Sequence, residues 1–143
     1  MKHYFAYGSN MWDEQMATRC PDSKKIGVAR LVGYRWIITT RGYASVVESQ
    51  NDEVEGVMFE ILDSDEQALD HFEGVADGVY RKAELPLLRG GNQELALVYI
   101  DPITDEGSPL KEYVGRINAG LADANLSAAY VDHQVRKFIP PFR

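Results

Sequence analysis

Apolar and polar positions along this 143-residue chain change period several times, and each change marks an element. KHYFAY (2–7) packs β-favouring aromatics into a short run that breaks at Gly8-Ser9-Asn10. MWDEQMATRC (11–20) then reads as a helix capped by Asn10, with Asp13 and Glu14 in the first turn, where acidic groups suit the helix dipole. Strand-like segments follow at IGVARL (26–31), YRWIITT (34–40), ASVVE (44–48), VEGVMFEI (54–61), VYRKAELPLL (79–88) and ELALVYI (94–100), separated by turns bearing Gly, Asn and Asp. Such closely spaced strands predict hairpins that curl into a barrel.

Three further helices are legible. Ser64 followed by Gln67 reads as a capping box opening SDEQALDHFE (64–73), whose Leu69 and Phe72 share a face and which Gly74 ends. Ser108-Pro109 opens a helix in which Leu110, Tyr113, Val114, Ile117 and Leu121 recur at helical spacing. Ser127 opens the last, which carries Val131, Val135 and Phe138 and stops at Pro140-Pro141. No repeat, low-complexity tract or long linker intervenes, so residues 1–143 read as one domain of mixed α+β class, with most strands before Asp101.

Composition narrows the function. Hydrophobic residues at 45% and charged residues at 26% argue against disorder, and a chain of this length builds a core without disulfides or metal. Twenty-two acidic against fifteen basic residues leave a formal charge of −7, which repels a phosphate backbone, so no nucleic-acid partner is expected. Cys20 is the sole cysteine, which excludes an internal disulfide and a four-cysteine zinc site and fits a reducing cytoplasm. No apolar run approaches the roughly 20 residues that span a bilayer, and MKHYFAYGSN lacks the apolar core of a signal peptide. A cytoplasmic protein without a membrane partner is the expectation.

Several catalytic schemes fail on inventory: there is no G-x-S-x-G elbow, no phosphate loop and no G-x-G-x-x-G fingerprint. His3, His71 and His133 never stand three or four apart, so no local pair resembles a helical metal site. Cys20 sits at a helix C-terminus beside Pro21, where the dipole disfavours a thiolate. Two places remain. At Tyr7-Gly8-Ser9-Asn10 a strand turns into a helix through glycine, which is either an ordinary turn with an Asn cap or a set of outward N–H groups suited to an anion. Glu73 lies about 40° from Leu69 around the helix, at the edge of its apolar face and at its negative end. Both burial and the dipole would raise its pKa towards that of a general base. The alternative is a Glu that passes Gly74 into solvent or pairs with Arg81 or Lys82.

YFAYGSNM (4–11) and LDHFEGVADGVYRK (69–82) together resemble the γ-glutamylcyclotransferase family, in its opening strand and glycine loop and in its catalytic Glu-Gly-Val segment with a seven-residue step from Glu73 to Tyr80. SPLKEYVGRINAGLADANL (108–126), continuing to Tyr130, resembles the paired C-terminal helices more loosely. The resemblance implies a small mixed β-barrel flanked by helices, with a pocket where the Tyr7–Asn10 loop meets the end of the Glu73 helix. It implies that Tyr4, Phe5, Ala6, Tyr7, Gly8, Ser9 and Asn10 line the substrate site, that Glu73 is the acid/base and that Tyr80 orients the substrate. Tyr99 and Tyr113 match in a looser way. Neither metal nor organic cofactor is implied. The partner would be a small anionic γ-glutamyl compound, and a homodimer is compatible with the sequence.

The implied reaction is closure of the substrate's own α-amine onto its γ-glutamyl carbonyl, releasing 5-oxoproline and an amino acid or amine. Three other readings stay open: a relative directed at γ-glutamyl amines or glutathione, a binding module of the same fold without turnover, and a protein-interaction domain with no pocket. The segment 24–51 offers little to align, so the far wall of the pocket is unassigned.

Overall fold

Five strands, β1 (Lys2–Ala6), β2 (Lys24–Ile38), β3 (Ala44–Ile61), β4 (Arg81–Arg89) and β5 (Asn92–Ile100), close into a barrel in the order β1-β3-β2-β4-β5. The computed structural model describes residues 2–142. Neighbouring strands are antiparallel except at the seam, where β1 and β5 meet in parallel through Tyr4 opposite Leu97.

The segments 26–31 and 34–40 are one strand rather than two. β2 breaks register against β3 at Lys25/Gly27 and at Val32/Tyr34, and Gly33 takes a φ of 87° at the second break. A bulge resets the side-chain alternation and so looks like a strand end in sequence, although pairing resumes beyond it. In the same way 44–48 and 54–61 are the two ends of β3. Thr39 and Thr40 fall in the β2–β3 turn, where Thr39 makes an isolated bridge to Glu106. Val79 and Tyr80 precede β4 and belong to a loop.

Alternate residues of the strands feed two clusters. Phe5, Leu31, Trp36, Met58, Leu87 and Val98 pack with Ile117 and the C-terminal Tyr130, Val135 and Ile139. Tyr4, Phe59, Ile61 and Leu97 pack instead with Met11, Met16 and Leu69, which fixes the first two helices against the barrel wall. Gly56 permits the closest approach: a Cβ there would lie 2.4 Å from the Ala6 carbonyl oxygen and 2.8 Å from the Phe5 ring.

The helices form where expected, but their ends differ. A 3₁₀ turn over Ser9–Met11 precedes α1 (Asp13–Arg19), whose N-cap is Trp12, so Asn10 is a buried residue of that turn rather than the cap. Its amide is used in tertiary hydrogen bonds, which a short polar side chain makes as readily as a cap. α2 (Asp63–Phe72) starts one residue earlier than Ser64, and its box runs from the Asp65 carboxylate to the Leu62 N–H at 3.0 Å. α3 (Lys111–Ala124) begins after Leu110, whose N–H is tied to the Gly42 carbonyl of the β2–β3 turn at 3.2 Å. Ser127 caps α4 (Ala128–Tyr130), accepting from the Tyr130 N–H at 3.2 Å, and the chain continues through a π turn over Val131–Val135.

Candidate active site

The exit from β1 is pinned on both sides. The Tyr7 carbonyl accepts from Trp36 Nε1 at 2.9 Å, and the Tyr7 hydroxyl donates to the Tyr99 carbonyl on β5 at 2.5 Å. The 3₁₀ turn that follows bonds Met11 N–H to the Gly8 carbonyl and Trp12 N–H to the Ser9 carbonyl. Among the described residues no acceptor takes the N–H of Gly8 or Ser9. Gly8 sits tightly here: a Cβ would lie 3.1 Å from the Tyr113 hydroxyl, which would have to yield by a few tenths of an ångström.

Opposite this loop, α2 stops abruptly. Glu73 is its last right-handed residue, with its N–H on the Leu69 carbonyl at 2.8 Å, and Gly74 turns left-handed with a φ of 64°. A left-handed residue just past the end is where glycine stops a helix most easily. A second tight loop closes with Val79 N–H on the Gly74 carbonyl at 3.1 Å, which carries Tyr80 back beside Glu73.

Loop and helix end face each other across a cavity of about 330 Å³. It is lined by Tyr4, Phe5, Tyr7, Gly8, Ser9, Asn10, Glu73, Tyr80, Tyr99 and Tyr113 from the sequence-predicted set. Ala6 is the exception: it packs in the cluster with Met16 and Leu69 on the same strand face as Tyr4, and its methyl group does not reach the cavity that the longer Tyr4 side chain lines. The remaining wall comes from residues that sequence reasoning missed. Arg19 and Arg116 arrive from α1 and α3, His71, Phe72, Gly74 and Val79 flank Glu73, and Arg41, Tyr43 and Ala44 come from the unassigned 24–51 segment.

The Glu73 carboxylate has neither a hydrogen bond nor an ion pair among the described residues. Lys82, one of its expected partners, is held by Glu66 and, at 3.1 Å, by Asp70. Glu73 is half-buried and lines the cavity. Burial pushes its carboxyl up to about 7, against the opposing pull of Arg19, Arg41 and Arg116. Desolvation therefore outweighs three guanidinium groups, and the group titrates in the range a general base requires.

The phenols serve as fixed, neutral donors. Burial holds Tyr4, Tyr7, Tyr80 and Tyr99 well above the usual tyrosine range and pushes Tyr113 up to about 12. Three of the protons are already committed: Tyr7 to the Tyr99 carbonyl, Tyr80 to the Ala44 carbonyl at 2.7 Å and Tyr99 to the Asp70 carboxylate at 2.7 Å. Tyr4 and Tyr113 are different. Tyr4 accepts from Asn10 Nδ2 at 3.0 Å and Tyr113 from the Ala44 N–H at 3.4 Å, so both keep a proton to donate into the cavity. The Cys20 thiol is buried, and burial pushes it up to about 12, which removes it as a nucleophile at neutral pH.

A barrel whose cavity sets an uncommitted carboxylate against free backbone amides and neutral phenols can exchange a proton with a small polar molecule. Residues 4–114 match the family model described as gamma-glutamyl cyclotransferase, AIG2-like. The γ-glutamylcyclotransferase of Mus musculus is 30% identical over 141 residues, spanning 89% of this chain and 73% of the mouse protein. That of Homo sapiens is 28% identical over 138 residues with the same two shares. A solved structure of a γ-glutamyl cyclotransferase superposes with a TM-score of 0.87 at 27% identity, covering 99% of this chain and 89% of that one. The chain belongs to the γ-glutamylcyclotransferase, AIG2-like family.

Proposed function

We infer that this chain is a γ-glutamylcyclotransferase that converts a γ-glutamyl compound to 5-oxoproline and a free amine, with Glu73 as the single acid/base. The observation that carries the reading is the placement of an unpaired, half-buried carboxylate across the cavity from the Gly8 and Ser9 amides.

The substrate brings its own nucleophile, so the protein needs to fold the γ-glutamyl chain and move protons. The α-ammonium must lose a proton before its nitrogen can attack the γ-carbonyl carbon, and Glu73, titrating near 7, accepts it. The new C–N bond closes a five-membered ring and the old amide C–N bond breaks. Two protons leave the ammonium and two arrive on the departing nitrogen, so Glu73 ends as it began. The N–H groups of Gly8 and Ser9 supply the oxyanion or the substrate carboxylate with fixed donors, and Tyr4 and Tyr113 add phenolic ones. Holding the cyclising conformer contributes several kcal/mol of the barrier reduction.

The net charge of −7 does not oppose an anionic substrate at the cavity, because Arg19, Arg41 and Arg116 all line it. Distant carboxylates are screened over about 8 Å at physiological salt. The lone, buried Cys20 supports a reducing, cytoplasmic setting for the reaction.

The test is release of 5-oxoproline from γ-glutamyl dipeptides, γ-glutamyl amines and glutathione, with Glu73→Gln run alongside. Loss of at least about a hundredfold in kcat is expected for the variant. A folded Glu73→Gln protein with full turnover would overturn the assignment.

A further inference from the structure

The three arginines of the cavity are not equivalent. Arg41 is bound to the buried Asp101 carboxylate, with Nε 3.0 Å from Oδ2. Arg116 forks onto Glu112 at 2.6 and 3.1 Å. Each of those charges is therefore largely matched within the fold. Arg19 has no carboxylate within 4.0 Å among the described residues. Its contacts are Asn10 Oδ1 at 3.2 Å and the face of the Phe72 ring, whose centroid lies 4.5 Å from the guanidinium carbon.

Neither contact explains the residue fully. Asn10 Oδ1 is already satisfied by Gln15 Nε2 at 2.9 Å, so the loop does not depend on Arg19. Phe72 is 51% exposed, which puts this stack at the mouth of the cavity. Stacking fixes the plane of a guanidinium while leaving edge N–H groups free, the presentation that matches a carboxylate. Of the three arginines, Arg19 also exerts the strongest pull on Glu73, which places its charge close to the reacting centre.

A γ-glutamyl amino acid carries two carboxylates. One belongs to the γ-glutamyl unit, which must lie deep between Glu73, the loop amides and the phenols for its amine to cyclise. The other belongs to the departing amino acid, which must leave through the mouth. We propose that Arg19, seated on Phe72, is a specificity-determining residue that holds the carboxylate of the departing amino acid. This rests on the cyclotransferase reading above.

The experiment compares γ-glutamyl-alanine with γ-glutamyl-alaninamide, a pair of almost equal shape that differs in the terminal charge. A charge-assisted hydrogen bond of ordinary strength corresponds to a preference of about ten- to a hundredfold in kcat/KM for the carboxylate substrate, expressed in KM. Arg19→Gln should bring that ratio close to one, and Arg19→Lys should restore part of it. Reading the ratio separates selectivity from folding, since a damaged loop lowers both rates and leaves their ratio unchanged. An unchanged ratio in Arg19→Gln, or no preference in the parent chain, overturns the assignment while the reaction stands. If the parent chain releases 5-oxoproline from neither substrate but does so from glutathione, the assignment falls alone; silence with every γ-glutamyl compound takes the reaction with it.

Discussion

Replacing Glu73 by glutamine keeps the shape of the side chain and removes its charge, so the variant measures what the carboxylate costs the fold as well as what it does. The carboxyl moves from an ordinary value of 4.5 to about 7 on folding, chiefly through burial. At about 1.4 kcal/mol per pH unit this sets an upper bound of about 3 kcal/mol on the penalty for the ionised form. Solvent in the cavity mouth screens part of the charge, which reduces the expected figure to about 1–2 kcal/mol. The sign follows from the two titrations. Below about 4.5 the group is neutral whether the chain is folded or not, and the penalty is absent. Between 4.5 and about 7 the unfolded chain gives up its proton while the folded chain keeps it, so stability falls as pH rises. Above 7 the loss is complete and constant. Glutamine has no such titration. Urea unfolding of both proteins across this range should therefore give curves that coincide near pH 4 and separate up to pH 8, where Glu73→Gln is the more stable by about 1–2 kcal/mol, or roughly 3–6 °C in Tm. The same variant should lose its turnover. Equal stability at every pH, or a less stable variant at pH 8, would refute the reasoning, since it would mean that favourable bonds hold the carboxylate in place.

For the unaltered chain, kcat/KM should climb on the acid side with an apparent pKa of about 7, as Glu73 becomes the anion that can take the ammonium proton; a limb near 4.5 would mean a solvated carboxylate. Tyr7→Phe removes the hydroxyl that satisfies the buried Tyr99 carbonyl and should cost about 1–3 kcal/mol in chemical denaturation. Gly56→Ala drives a methyl group to 2.4 Å from the Ala6 carbonyl oxygen, and overpacking of this kind should destabilise by about 1–3 kcal/mol or more, with the wild-type midpoint retained if β1 gives way freely.

Much of the site was legible because it lies in two short, contiguous segments. The β1 exit with its glycine loop and the Glu73 helix end each form a local pattern, and their facing arrangement follows from the resemblance they carry together. Arg41 was not legible. Its approach to the cavity depends on the β2–β3 turn, which is held by Thr40 N–H on the Asp105 carbonyl and Leu110 N–H on the Gly42 carbonyl, bonds from residues more than 60 positions away. Arg19 and Arg116 were not singled out in the sequence, since helical spacing places a side chain on a face without saying what that face meets. Asn10 was misread as a cap because short polar residues before a helix usually are caps; here Tyr4, Gln15 and Arg19 all bond its amide instead. The bulge at Gly33 split one long strand into two for a similar reason, a local signal overridden by pairing to β3.

The parallel seam between β1 and β5 also affects how the protein comes into being. Tyr4 and Tyr7 lie at one edge of that seam and Tyr99 at the other, and the Tyr7 hydroxyl crosses it. That seam joins the first strand to the last across residues 7–91, and such distant pairings form late because the loop must close before any contact rewards it. The cavity thus has no native wall until the sheet is shut. A refolding chain should acquire helix and hairpin signals first and enzymatic activity only at the final step, which makes product formation a direct clock for barrel closure.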